Sequence, residues 1–169
     1  MCGINGVIFK SKQEEQTVRQ KLTVMNDLII HRGPDDDGLF INSAQNCSVG
    51  MAMRRLSIID LSFGQQPMFS EDKNIAIVFN GEVYNFLKLK HQLEANGVQF
   101  NTTSDTEVIL KLYEQKGTEA FKDLDGMLVL VFMTLIKIKY LLQETILERN
   151  HCITQILTMN FTGHLSLNP

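Results

Sequence analysis

Apolar residues fall at two periods along the chain, and the period sets the element. Ile4–Phe9 is a short β-branched run punctuated by Gly3 and Gly6, and reads as a strand. Val18, Leu22, Met25 and Ile29 recur at helical spacing and predict one helix over Glu14–Ile30. His31–Gly38 (HRGPDDDG) reads as a loop, because Pro34 stops a helix and the three aspartates are solvated or capping. Val49–Ile59 and Ile75–Phe79 read as buried strands, separated by a loop at Gly64–Pro67. Leu87–Ala95 is a short helix ended by Asn96 and Gly97. Ser104 with Glu107 is a capping-box signature, and Val108, Ile109 and Leu112 give the following helix its apolar face. Leu128–Met133 is one more strand. This mixture predicts an α+β layered domain without repeats or low-complexity linkers.

Composition narrows the function without choosing it. The 169 residues are 44% hydrophobic and 21% charged, enough for one domain, or two small ones, with roughly 70% of the unfolded surface buried. Sixteen basic against 19 acidic residues give a net charge of −3, which argues against a polybasic nucleic-acid or membrane-surface binder. No apolar run reaches the ~20 residues of a membrane span, and the N-terminus lacks the regions of a secretory signal. Cys2, Cys47 and Cys152 are irregularly spaced and offer neither a disulfide framework nor zinc-ligand spacing. A cytoplasmic location without a metal site is the expectation.

Cys2 is the first candidate for chemistry. Removal of Met1 before a small second residue would leave Cys2 with a thiol and a free α-amine on one residue. The thiolate is the nucleophile, and the amine, with an ordinary pKa of about 7.7–8.0, can take the thiol proton and later return it to a leaving amine. Taken alone, a second-position cysteine is more often an incidental small residue than a catalytic one. Asn80 and Gly81 close the strand Ile75–Phe79 and could supply a side-chain amide and a backbone N–H to an oxyanion. The same pair is also a strong hairpin-turn signal.

MCGI, HRGPDDDG, RRLSIIDLSFGQQPM, NGEVYN and SDTEV, in this order over residues 1 to 127, resemble the class II glutamine amidotransferases. More narrowly they are similar to the glutaminase domain of glutamine-hydrolysing asparagine synthetases. The resemblance implies an N-terminal-nucleophile fold, an αββα four-layer sandwich of antiparallel sheets. It implies that Cys2 attacks the side-chain amide of L-glutamine and forms a thioester, with Asn80 and Gly81 as the oxyanion hole. Arg55 would take the substrate α-carboxylate. Asp105 would take its α-ammonium, helped by Glu82 and by main-chain groups of Leu56, Ser57, Ile58 and Ile59. Against this, Asp105 could be only a helix cap and Arg55 only a surface charge. His31, Arg32 and His91 are left without chemistry. No cofactor is implied in this domain. ATP and Mg belong to a synthetase domain absent from this chain, and a homodimer stays open. The alternatives are an inactive pseudogene-type fragment, a non-catalytic glutamine-binding module, or another transferase fed by the same glutaminase.

After Met127 the resemblance stops, whereas the family continues into an aromatic strand, an Ala-Arg-Asp segment, a Gly and Lys-Pro-Leu-Tyr-Tyr. Permitted codons for Leu128 onward, read from their third base, encode GFGFYDFNKNKIFIARDYIGKKPLY. The expectation is that residues 128–169 are an out-of-frame tail ending at a premature stop, leaving the C-terminal part of the fold incomplete. Residues 128–133 keep a strand's apolar character, and Leu141–Leu147 is apolar enough for a helix. A genuine divergent tail is the alternative.

Overall fold

The computed structural model describes residues 2–44, 47–56, 64–134, 139–148, 151–160 and 164–168. They fall into two compact units, one built on the chain up to Leu56 together with Gln65–Pro67, the other from Met68 onward.

The first unit contains β1 (Gly3–Phe9), α1 (Glu15–Leu28), a 3-10 turn (Ile30–Arg32), β2 (Asp36–Ala44) and β3 (Cys47–Arg55). Its three-stranded antiparallel sheet has the order β1-β3-β2. The helix lays Val18 and Leu22, both fully buried, on Ala52, with Val7, Phe9, Leu39 and Ile41 packed around them. Close approach of helix and sheet requires Gly50, where a Cβ would overlap Leu22. Met25 on the expected apolar face is only half-buried, and Asn26 takes the inner position. It survives there because its amide is used: Nδ2 donates to the Met53 carbonyl (3.3 Å) and Oδ1 accepts from Asn5 Nδ2 (3.0 Å). The sequence gives no strand after the aspartate run, yet β2 begins inside it. Asp36 and Asp37 stand opposite Arg55 and Arg54 of β3, and cross-strand charge pairing makes this run a strand end instead of a solvated loop.

The second unit contains β4 (Met68–Phe69), β5 (Ile75–Val83), α2 (Phe86–Ala95), α3 (Asp105–Lys116), a 3-10 segment (Gly117–Asp123), β6 (Gly126–Thr134), β7 (Lys139–Glu148), β8 (His151–Asn160) and β9 (His164–Asn168). The strands form a six-stranded antiparallel sheet in chain order. Leu89, Leu93, Val108, Ile109 and Leu112 from the helices bury against Ile77, Phe79, Val83, Leu128 and Leu130 of the sheet. At roughly 1.5–3 kcal/mol for each fully buried side chain of this size, that cluster fixes both helices to the strands. Leu141–Leu147, apolar enough for a helix by sequence, lies in β7 and pairs along β6. An open strand edge offers unpaired N–H and C=O groups, and a following strand satisfies them.

Each unit is therefore an antiparallel sheet with helix on it, the α+β class the sequence predicts. No helix among the described residues is long and apolar enough to cross a membrane.

Candidate active site

In the first unit the free end of β1 carries Cys2 next to the end of β3. Gly3 pairs with Arg54, and Cys2 follows as the next residue outward. The Leu56 N–H lies 3.4 Å from Cys2 Sγ, and Sγ lies 3.7 Å from the Leu56 carbonyl oxygen. Cys2 is half-buried and, like Cys47, a free thiol. The main chain of Leu56 thus meets the sulfur with both its N–H and its carbonyl and holds it at the end of β3.

Arg32 grips the same residue from the 3-10 turn. Its Nε and Nη2 both donate to the Cys2 carbonyl oxygen at 3.4 Å, a forked contact suited to a guanidinium. The turn can reach this far because Gly33 has no side chain: a Cβ would overlap the Arg54 carbonyl carbon and stand 2.5 Å from Arg54 O and Arg55 N. The Asp35 N–H closes the loop by donating to the Arg55 carbonyl (3.1 Å). Sequence reasoning left Arg32 without a role. The available signal was its place beside a glycine and a proline, which marks a loop with a constrained path.

The two neighbouring arginines of β3 differ. Arg54 is structural: Nη2 pairs with Asp27 Oδ1 (2.6 Å), Nε donates to the Asn26 carbonyl (3.1 Å), and Nη1 is 3.6 Å from Asp37. Arg55 is only 6% exposed, so it is not a surface charge. Leu56 is half-buried, whereas Ser57, Ile58 and Ile59 lie outside the described residues.

In the second unit β5 runs through to Val83, so Asn80, Gly81 and Glu82 belong to a strand and not to a hairpin turn. They pair with Val129, Leu128 and Met127 of β6. Gly81 adopts φ +153°, and a Cβ there would overlap the Met127 carbonyl oxygen and lie 2.6 Å from Leu128 Cα. Only glycine fits this position. Asn80 is half-buried, while Gly81 and Glu82 are exposed.

Asp105 meets the end of the same strand. It is the first residue of α3, but the cap is Ser104, whose Oγ accepts from the Thr106 N–H (3.1 Å). Asp105 is buried, and its carboxylate accepts the Val83 and Thr106 N–H groups. Burial is the largest influence on it and raises its pKa above the ordinary aspartate value. The backbone donors oppose that shift and the charge of Glu82 adds to it. A buried carboxylate beside a second one is a fitting receptor for a cation. Among the described residues there is no group of three or more His, Cys, Asp or Glu that could hold a metal.

A family model described as a glutamine amidotransferase domain matches residues 1–147. Asparagine synthetase [glutamine-hydrolyzing] 1 of Bacillus subtilis is 46% identical over 132 residues, covering 75% of this chain and 20% of the relative. Asparagine synthetase B of Escherichia coli is 37% identical over 164 residues, covering 97% of this chain and 28% of the relative. The chain thus spans only 20% to 28% of the length of these curated relatives. Among solved structures, the glutamine phosphoribosylpyrophosphate amidotransferase of B. subtilis complexed with ADP and GMP aligns with a TM-score of 0.63 and 16% identity, over 96% of this chain and 50% of that one. At that identity the likeness establishes a shared fold alone.

Proposed function

The chain belongs to the glutamine amidotransferase domain family, and from that premise we propose that it is the glutaminase part of a glutamine-hydrolysing asparagine synthetase. Its reaction is hydrolysis of L-glutamine to glutamate and ammonia. Met1 is removed, and the neutral α-amine of Cys2 takes the thiol proton. The thiolate attacks the glutamine side-chain carbonyl carbon. The Asn80 amide and the Gly81 N–H donate to the oxyanion so formed. Collapse breaks the C–N bond, the amine returns its proton, and ammonia leaves. Water then gives a proton to the α-amine as it attacks the thioester carbonyl; a second oxyanion forms in the same hole, its collapse breaks the C–S bond, and the amine returns the proton to the Cys2 sulfur as glutamate leaves. Arg55 binds the substrate α-carboxylate. Asp105 binds the α-ammonium with Glu82 and the main chain of Leu56, Ser57, Ile58 and Ile59.

The observation that carries this reading is the sulfur of the second residue, seated on the Leu56 N–H with its own carbonyl clamped by Arg32. A nucleophile at a chain end is useless unless the end is fixed, and these contacts fix it. In the whole protein the ammonia would be consumed by an ATP- and Mg-dependent synthetase region in the cytoplasm, joining it to aspartate. The assignment covers residues 1–127, with 128–169 an out-of-frame tail.

The test is to separate protein with and without Met1, checked by mass spectrometry, and to assay both for glutamate release. Processed protein hydrolyses glutamine; protein retaining Met1 does not, although its circular dichroism is the same. Equal activity of the two forms removes the α-amine from the mechanism. A processed protein that is alkylated at Cys2 by iodoacetamide yet releases no glutamate is instead a non-catalytic glutamine-binding module.

A further inference from the structure

Glu107 is a buried carboxylate that the reaction above leaves unused. It is 4% exposed. Its Oε1 accepts the Asn101 N–H (2.9 Å), and its Oε2 accepts both the Thr102 N–H (2.7 Å) and the Thr102 hydroxyl (2.6 Å). Thr102 Oγ1 in turn accepts the Ser104 N–H (3.2 Å), and Ser104 Oγ accepts the Thr106 N–H (3.1 Å). An unbroken series of hydrogen bonds therefore runs from Glu107 through Thr102 and Ser104 to Thr106, and Asp105 is enclosed by it.

This departs from an ordinary capping box, in which the glutamate would accept from the Ser104 N–H itself. Here the glutamate reaches past the cap and ties down Asn101 and Thr102, ahead of it in the loop. Starting α3 does not require that, since Ser104 already caps the helix. Burying a charged group is costly unless its oxygens are filled, and the loop leading into Asp105 gives these oxygens three hydrogen bonds, with Lys111 adding an opposite charge nearby.

Resting on the glutaminase reading, we propose that Glu107 is a positioning residue for recognition of the substrate α-ammonium: it fixes the loop Asn101–Ser104 so that the Asp105 carboxylate holds one orientation. Glu107→Gln keeps the side chain's size but turns an N–H group toward at least one of the three donors. A hydrogen bond to a charged group is among the stronger ones, and with one of them turned into a clash of donors the loop loses its single path.

The experiment measures the dissociation constant of L-glutamine by calorimetry on the full chain in a Cys2→Ala background, where turnover does not interfere. Glu107→Gln, Asp105→Asn and their double variant are compared. We expect Glu107→Gln to weaken binding about tenfold or more and Asp105→Asn to weaken it at least as much. The double variant should be no weaker than Asp105→Asn alone. In the Cys2-intact chain, Glu107→Gln should leave the rate of Cys2 alkylation unchanged. Thr102→Val, which cuts the same series at its second member, should weaken binding in the same direction and stands in if Glu107→Gln fails to fold. Unchanged affinity with a lowered melting temperature makes Glu107 merely structural and overturns the proposal, as do additive losses. If Asp105→Asn alone leaves affinity intact, the assignment of Asp105 to the ammonium fails first and this proposal with it.

Discussion

Asp105 shows how a single residue can oppose its own fold. Burial raises its carboxyl pKa above the ordinary value of 3.8, so between the unfolded and folded values the native state holds a proton that the unfolded chain has released. Its contribution to stability is therefore complete below pH ~3.8 and is lost as pH rises through the raised folded value. Asp105→Asn should accordingly stabilise the chain in urea at pH 7, and that gain should shrink to nothing as the pH is lowered past the ordinary aspartate range. A gain that persists in acid would assign the effect to packing instead. Retention of a destabilising ionised group is what a binding role for its charge would require. The adjacent Ser104 was legible as a cap from its sequence position. That Asp105 points into the protein beside Val83 was not, because the partner N–H belongs to a strand more than twenty residues away.

Among the elements, the loop between α1 and β2 does more than its sequence suggested. It brings Arg32 onto the Cys2 carbonyl, passes Gly33 across the backbone of β3, and ends in a strand. Gly33 has φ −156°, ordinary extended backbone, so its requirement is steric alone. Gly33→Ala should lower stability by at least the ~1–3 kcal/mol typical of overpacking, since the atoms it would meet, Arg54 C and O and Arg55 N, are main chain and cannot rotate away. The urea midpoint reads this, and an unchanged midpoint would mean that the loop lifts off without cost. Helices fared better than strands in the sequence reading. Val18 and Leu22 of α1, and Val108, Ile109 and Leu112 of α3, declare their buried face through local spacing, and all five are in the core. The start of β2 and the continuation of β5 through Asn80 and Gly81 depend on pairing with Arg54, Arg55, Val129 and Leu128, which no local window contains.

For the molecule as a whole, the chain after Met127 raises a question of its own. β6 spans the proposed change of frame, and the family match continues to residue 147. T-rich codons specify hydrophobes in either frame, so a strand's apolar pattern can outlast the shift. Sequencing the genomic locus decides: a single intact frame encoding residues 128–169 refutes the out-of-frame tail. If the shift is confirmed, the frame-restored protein should melt higher, because its closing strands would carry side chains matched to the core. The sequence by itself determined the family and the helices, and it singled out Cys2 as the candidate nucleophile, since each is written in adjacent or regularly spaced residues. Only the tertiary structure decided that Arg54 is a strut while Arg55 is buried, that Arg32 holds the Cys2 carbonyl, that Gly81 admits no side chain, and that Asn80 and Gly81 lie within a ladder. Burial and hydrogen bonding there join residues 30 to 54 positions apart, and a chain reveals such partners only once it is folded.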